Sequence, residues 1–244
     1  MNPPTGPAYG EDLRIGLIAL STDLAVERDF AKLSDDRVTT FTTRVRMRTP
    51  NSEATFLELE RELPSVAALL VPTSRLDVVV LGCTAASMLI GDERISAAVT
   101  AVRPGVQVTN PALAVVAALR ILGVTRLALL TPYTPSVTKV TIDFLASRGI
   151  ETVDAIGLGI DMDDTHARIP EAVLMDAARS LDRTRAQAVF VSCTAIRALN
   201  IVAPLEHELG IPVLTSNQAA FWHAMRLGAV QRRVDGYGQL LVTS

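Results

Sequence analysis

Two cysteines occur in the 244 residues, Cys83 and Cys193, and each sits in nearly the same run, Leu81-Gly82-Cys83-Thr84-Ala85 and Val191-Ser192-Cys193-Thr194-Ala195. A thiolate sulfur is a good nucleophile and an adequate base. Only about 3% of a free thiol is ionised at pH 7, so thiolate chemistry needs amide donors or a positive helix end beside the sulfur. Two opposed thiols suit two reactions. One thiolate can take a proton from a carbon next to a carboxylate while the other thiol returns one to the opposite face, which is racemisation. Alternatively, one thiolate adds to an activated C=C bond, the C–C bond rotates and the sulfur leaves, which is cis–trans isomerisation. Neither needs a metal or an organic cofactor. Both need donors where charge accumulates on the substrate carboxylate, and Thr84, Ala85, Thr194 and Tyr133 are the candidates. The competing reading is a pair of ordinary buried, inert cysteines.

An internal repeat argues against that reading. The run from Arg14 to Asp23 pairs with the run from Arg126 to Tyr133, Val78 to Ala85 pairs with Ala188 to Ala195, and Gly105 to Asn110 pairs with Gly210 to Asn217. The intervals agree: 69 residues separate Arg14 from Cys83 and 67 separate Arg126 from Cys193, while the cysteine-to-asparagine gaps are 27 and 24. Three matches in one order imply two copies of one unit, residues 13–123 and 124–228, related by a pseudo-twofold axis. The expected lobes are 13–110 plus about 217–244, and 111–216.

The elements that must position the thiols follow from patterning. Apolar runs at Arg14–Leu20, Asp77–Gly82, Gln107–Thr109, Arg126–Leu130, Ala188–Ser192 and Pro212–Thr215 alternate with helical segments, which predicts an α/β fold of parallel strands flanked by helices. Asn110 followed by Pro111 starts a helix that Gly123 stops. Further helices are predicted at Pro135–Arg148, at Pro170–Leu181, at 51–71 with an interruption near Pro64, and after a cap at Ser216 or Asn217. In open parallel sheets ligands bind beyond the carboxyl ends of the strands, and both cysteines follow a strand directly. The site therefore belongs in the cleft between the lobes.

Thr109, Asn110, Ser216 and Asn217 lie at the third strand edge of each lobe, where they either bind substrate or cap helices. Arg44, Arg46 and Arg48 alternate along an extended, exposed segment. His207 and His223 fall within helices and His166 in a loop, and the spacing of histidines and cysteines suits no zinc site. Nucleotide-binding glycine motifs and the serine-hydrolase elbow are absent from the sequence. With 23 basic and 26 acidic residues the formal charge is −3, which disfavours nucleic acid or an anionic membrane as partner. No apolar run is long enough for a transmembrane helix, and the loose first ten residues do not resemble a signal peptide. A reducing cytoplasm and free thiols are expected.

Taken with the Leu-Leu-Thr-Pro-Tyr133 run and the segment after Leu214, the two cysteine motifs resemble the aspartate/glutamate/hydantoin racemase superfamily, over about residues 13–230. The nearest branch is that of maleate cis–trans isomerase and arylmalonate decarboxylase. The decarboxylase keeps only the second cysteine, so Cys83 favours two-thiol chemistry. The resemblance implies Cys83 as nucleophile, Cys193 as acid, and Tyr133 in carboxylate binding. Two departures stand out. Asparagines of the maleate isomerases are replaced by Asp23 after the first strand and by Asp164 in the Asp161–Asp164 loop. Two like charges about 4 Å apart repel by roughly 4 kcal/mol at an effective dielectric near 20, so carboxylates there disfavour a dianion and suit a substrate that also carries an amino group. In this detail the sequence is similar to the ectoine-utilisation proteins of the superfamily. Helix capping is the alternative role for both aspartates.

The reading is a cofactor-independent isomerase of a small carboxylic acid, maleate-type in its nearest assignment and homo-oligomeric. Racemisation or epimerisation of an amino-acid derivative is the alternative, and a non-catalytic carboxylate-binding protein is the rival of another class.

Overall fold

The computed structural model describes residues 8–243; of the loose N-terminal ten, residues 1–7 lie outside it. In chain order the elements are β1 (Leu13–Leu20), α1 (Val26–Leu33), β2 (Val38–Val45), α2 (Glu53–Ala68), β3 (Val78–Gly82), α3 (Thr84–Ile90), α4 (Asp92–Thr100), β4 (Gln107–Thr109) and α5 (Pro111–Ile121). They continue with β5 (Arg126–Thr131), α6 (Pro135–Ser147), β6 (Glu151–Gly157), α7 (Asp163–His166), α8 (Glu171–Ser180), β7 (Ala188–Val191), α9 (Val202–Leu209), β8 (Val213–Thr215) and α10 (Ser216–Leu227). Among the described residues the strands form two parallel four-stranded sheets, ordered β2-β1-β3-β4 and β6-β5-β7-β8. The two orders are the same, as duplication requires.

The central strands are the ones the apolar runs predict. β3 and β7 are buried at every residue, because helices cover both faces of each sheet. The edge strands β2 and β6 were not expected as strands. β2, Val-Thr-Thr-Phe-Thr-Thr-Arg-Val, is half-exposed along its middle, and β6 is largely so; an edge position lets polar side chains face water, so the continuous apolar signal is lost. Arg44 belongs to β2, and its guanidinium donates to the carbonyls of Leu20 (3.0 Å) and Asp23 (2.9 Å) and pairs with Glu27. It therefore fastens the turn after β1 rather than standing free.

Helix α5 is buried along Pro111, Ala112, Ala114, Val115, Val116, Ala118 and Leu119. Its apolar face is core of the single chain, shared with Ala219, Ala220, Phe221 and Trp222 of α10 and with Leu127 and Leu129 of β5. Phe30 of α1 meets Phe221 edge-on with ring centroids 5.5 Å apart, a geometry adding roughly 0.5–1.5 kcal/mol beyond the area buried. Pro64 lies inside α2, which runs through it without a break in the helix. No helix among the described residues is long and apolar enough to cross a membrane.

Asn110 is the N-cap of α5: its Oδ1 accepts from Leu113 N at 2.9 Å while its Nδ2 donates to Asp92 Oδ1 at 2.8 Å. Both ends of the side chain are engaged within the protein, which supplies the capping role, one of the two read from sequence. Asn110→Ala is expected to cost about 1–2 kcal/mol of stability, since it removes the cap and takes a donor from Asp92. Urea unfolding measures this; an unchanged midpoint would contradict the capping role.

Candidate functional site

In each sheet the chain leaves the first strand toward one edge and returns to build the other. This creates a switch point between β1 and β3 and another between β5 and β7. Asp23 follows β1 and Cys83 follows β3; Tyr133 follows β5 and Cys193 follows β7. Four of the predicted site residues thus arise from one topological rule applied twice. Both thiols are buried, with Cys83 4% and Cys193 5% exposed.

Direct hydrogen bonds join the two cysteine turns. Thr194 Oγ1 donates to the carbonyl of Gly82 at 3.1 Å, so the residue after one cysteine holds the residue before the other. Ser216 Oγ accepts from Thr84 Oγ1 at 2.8 Å and from Cys193 N at 3.0 Å, bridging the residue after Cys83 to Cys193 itself. The Thr84 and Thr194 hydroxyls, read from sequence as facing a substrate, thus donate within the junction of the two cysteine turns.

Ser216 is available for this bridge because the cap of α10 lies one residue earlier than expected. Thr215 is the N-cap, in a capping box with Gln218: Thr215 Oγ1 accepts from Gln218 N and Gln218 Oε1 from Thr215 N, each at 3.2 Å. The strand register also corrects the repeat. Val80, three residues before Cys83, pairs with Thr109, and Phe190, three before Cys193, pairs with Leu214, so the N-cap Thr215, not Asn217, is the counterpart of the N-cap Asn110. Asn217 donates instead to Thr194 O (2.9 Å) and to Asp29 Oδ2 (2.8 Å), tying the second cysteine turn to α1.

The two thiols differ in their surroundings. Cys83 is the N-cap of α3, and its Sγ accepts from Ala86 N at 3.5 Å, the helix start expected from sequence. No helix follows Cys193 directly. Its φ of 139° lies where L-residues rarely go, a strain of order 1–3 kcal/mol typical of functional turns. The chain then turns irregularly until a 3₁₀ turn at Leu199–Ile201. One amide, Ala195 N, reaches Cys193 Sγ at 3.3 Å.

What sequence reading undervalued is His166. It was assigned to a loop; it lies on the single helical turn α7, is fully buried, and its Nδ1 is 3.9 Å from Cys193 Sγ. Tyr133 stands against it edge-on, with ring centroids 5.9 Å apart. A histidine 27 residues before a cysteine carries no recognisable spacing; only the tertiary fold brings α7, after the edge strand β6, to the cysteine after β7. Asp164 shares that turn and is partly buried. Nearby, Asn51 N donates to Asp161 O at 3.0 Å, so the loops after β2 and β6 meet.

Asp23 is fully buried, and its Oδ1 accepts from Ala25 N (2.7 Å) and Val26 N (2.9 Å), capping the entry to α1. This carboxylate orders the turn after β1 as the capping alternative anticipated. A carboxylate not expected from sequence, Asp29, lies on α1 near it. Burial pushes Asp29 up to about 6, aided by the charges of Asp23 and Glu171 and opposed by the Asn217 hydrogen bond and Lys32.

The fold and site define a class: a duplicated α/β protein with a thiol at the switch point of each half. A sequence model of the arylmalonate decarboxylase family matches residues 52–241, and the chain belongs to that family. It is 31% identical over 241 residues to the maleate isomerase of Nocardia farcinica, covering 93% of this chain and 95% of that one. To the arylmalonate decarboxylase of Bordetella bronchiseptica it is 34% identical over 139 residues, 56% of this chain and 58% of that enzyme. Among solved structures, a cysteine-to-serine mutant of the Nocardia farcinica maleate cis–trans isomerase with a covalently bound succinylcysteine intermediate superposes with a TM-score of 0.86. The sequence identity is 27%, over 94% of this chain and 98% of that one.

The Asp29 assignment has a pH consequence. The folded carboxyl keeps its proton up to about 6, against an ordinary 3.8. Stability therefore falls as pH rises through that window, and above it the protein carries a penalty of about 3 kcal/mol. Asp29→Asn preserves an acceptor for Asn217 and is expected to stabilise the protein by up to about 3 kcal/mol at pH 8, and hardly at all below pH 3.8. Denaturant titrations at both pH values check this; an equal gain at each would count against it.

Proposed function

We propose that the chain is a cofactor-independent isomerase of maleate type, in which Cys83 and Cys193 act on one bound dicarboxylate. The observation that carries this reading is the linkage of the two cysteine turns, Thr194 to Gly82 and Thr84 through Ser216 to Cys193. It supports a reading in which both sulfurs serve one site. In the proposed sequence the Cys83 thiolate adds to one alkene carbon, and the π pair moves to the neighbouring carbon and its carboxylate. That carbon takes the proton of Cys193, giving a succinyl thioether. The former double bond rotates as a single bond; Cys193 then removes the proton, the pair re-forms the alkene in its trans form, and the C–S pair returns to Cys83. Atoms and electrons balance without an external reagent. The Ala86 amide at Cys83 and the α3 start favour the nucleophilic thiolate. Tyr133, Ala85 and the amides of the two cysteine turns are the proposed carboxylate contacts.

Racemisation or epimerisation of an amino-acid derivative, as an ectoine-breakdown role would require, is favoured by Asp164 on the turn that carries His166. Asp23 lends it less support, since its Oδ1 is engaged with the α1 amides. The reading also includes a homo-oligomer in a reducing cytoplasm, where both thiols stay reduced.

Maleate followed by proton NMR is expected to give fumarate with the native protein. Cys83→Ser and Cys193→Ser should each lower the rate by on the order of 10³-fold or more, and Cys193→Ser should gain the mass of one maleate. Deuterium appearing at Cα of an amino-acid derivative in heavy water, with no fumarate from maleate, would replace this reading with the racemase. Binding without turnover and indifferent to both substitutions would replace it with a carboxylate-binding protein.

A further inference from the structure

We propose that His166 is the proton partner of Cys193: its Nδ1 takes the thiol proton and returns it, which makes Cys193 the acid–base thiol of the pair. The proposal deepens the reading above and rests on it for the substrate step alone.

The argument begins at the far side of the ring. His166 Nε2 faces the carbonyl oxygen of Ile160 at 3.1 Å. A carbonyl only accepts, so Nε2 must carry hydrogen, and in the neutral ring the lone pair is then on Nδ1. Nδ1 is the atom facing Cys193 Sγ, at 3.9 Å. The carbonyl that selects this tautomer is itself held, because the chain before it is stitched to the end of β5: Leu158 N donates to Thr131 O at 3.0 Å, Gly159 N to Tyr133 O at 3.0 Å, and Ile160 N to Pro132 O at 2.9 Å. From α7, His166 N donates to Met162 O at 3.1 Å. The ring is fully buried, with Tyr133 against its edge. Tyr133 and Cys193 are thus titratable groups set against it, and Asp164 shares its turn. An orienting acceptor behind a histidine and a thiol in front of it is the arrangement by which a weak nucleophile or acid is activated.

The step is a simple transfer. The proton leaves Sγ for Nδ1, the S–H pair stays on sulfur as thiolate, and the imidazole becomes imidazolium with its Nε2 hydrogen still on Ile160. The reverse transfer restores the thiol. The two halves of the molecule differ at this point: Cys83 is served by a helix start and the Ala86 amide, Cys193 by an imidazole and one amide.

Thiolate absorbance in single-cysteine proteins tests the proposal without any substrate, so it stands or falls apart from the assigned reaction. With Cys83→Ser, the remaining thiol is Cys193, and adding His166→Gln is expected to lower the thiolate signal at neutral pH by about fivefold or more. With Cys193→Ser, the remaining thiol is Cys83, and the same His166→Gln change should leave the signal unchanged. Equal signals with and without His166 in the first background, or an equal fall in both, would overturn the assignment. Should His166→Gln fail to fold, nitrogen NMR of His166 in the native protein and in Cys193→Ala decides: the Nδ1 resonance must move when the thiol is removed, and its constancy would refute the pairing.

Discussion

The structure depends on a small polar knot in which the two cysteine turns hold each other. Thr194 reaches the carbonyl before Cys83, and Ser216 gathers the hydroxyl after Cys83 and the amide of Cys193. The atoms involved are buried, where a hydrogen bond lacks competition from water and an unmade one costs about 1–3 kcal/mol. A buried polar network of this kind tolerates little displacement. It joins the ends of β3 and β7, which belong to different sheets, and Asn217 extends it to Asp29 on α1. The charge accepted there is itself unfavourable above about pH 6, consistent with a constraint retained for geometry rather than stability.

Duplication explains why the knot forms and also where symmetry must fail. Two copies of one strand order give equivalent switch points, and a pseudo-twofold arrangement sets a thiol at each. A reaction on an unsymmetrical intermediate needs unlike groups, one to bond carbon and one to move a proton. The backbone supplies the difference at the cysteines themselves. Cys83 runs from strand to helix at ordinary dihedral angles, whereas Cys193 turns at positive φ into an irregular segment with His166 behind it. The strain at Cys193 is accommodated because Ser216, Ala195 and His166 all hold its atoms in place.

Both thiols are nearly inaccessible, and the loops after β2 and β6 touch through Asn51 and Asp161. Burial of this kind excludes water and strengthens the amide donors around each sulfur.

Local composition determined much of this protein. The apolar runs marked the central strands, Asn110-Pro111 and Gly123 marked α5, and the repeat located both cysteines at strand ends. The edge strands β2 and β6 were illegible because half their side chains face water and look like loop. Tertiary structure alone decided which polar residues serve the site. Thr84, Thr194 and Asn217 read as substrate donors in sequence, and their side chains make hydrogen bonds to Ser216, Gly82, Thr194 and Asp29 within the protein. Asp23 caps a helix, a one-residue shift of the α10 cap makes Ser216 the bridge, and His166 reaches Cys193 from a separate turn. Secondary structure follows from side-chain patterns within a few residues, whereas the pairing of polar groups depends on which distant surfaces burial forces together, and no local pattern encodes that.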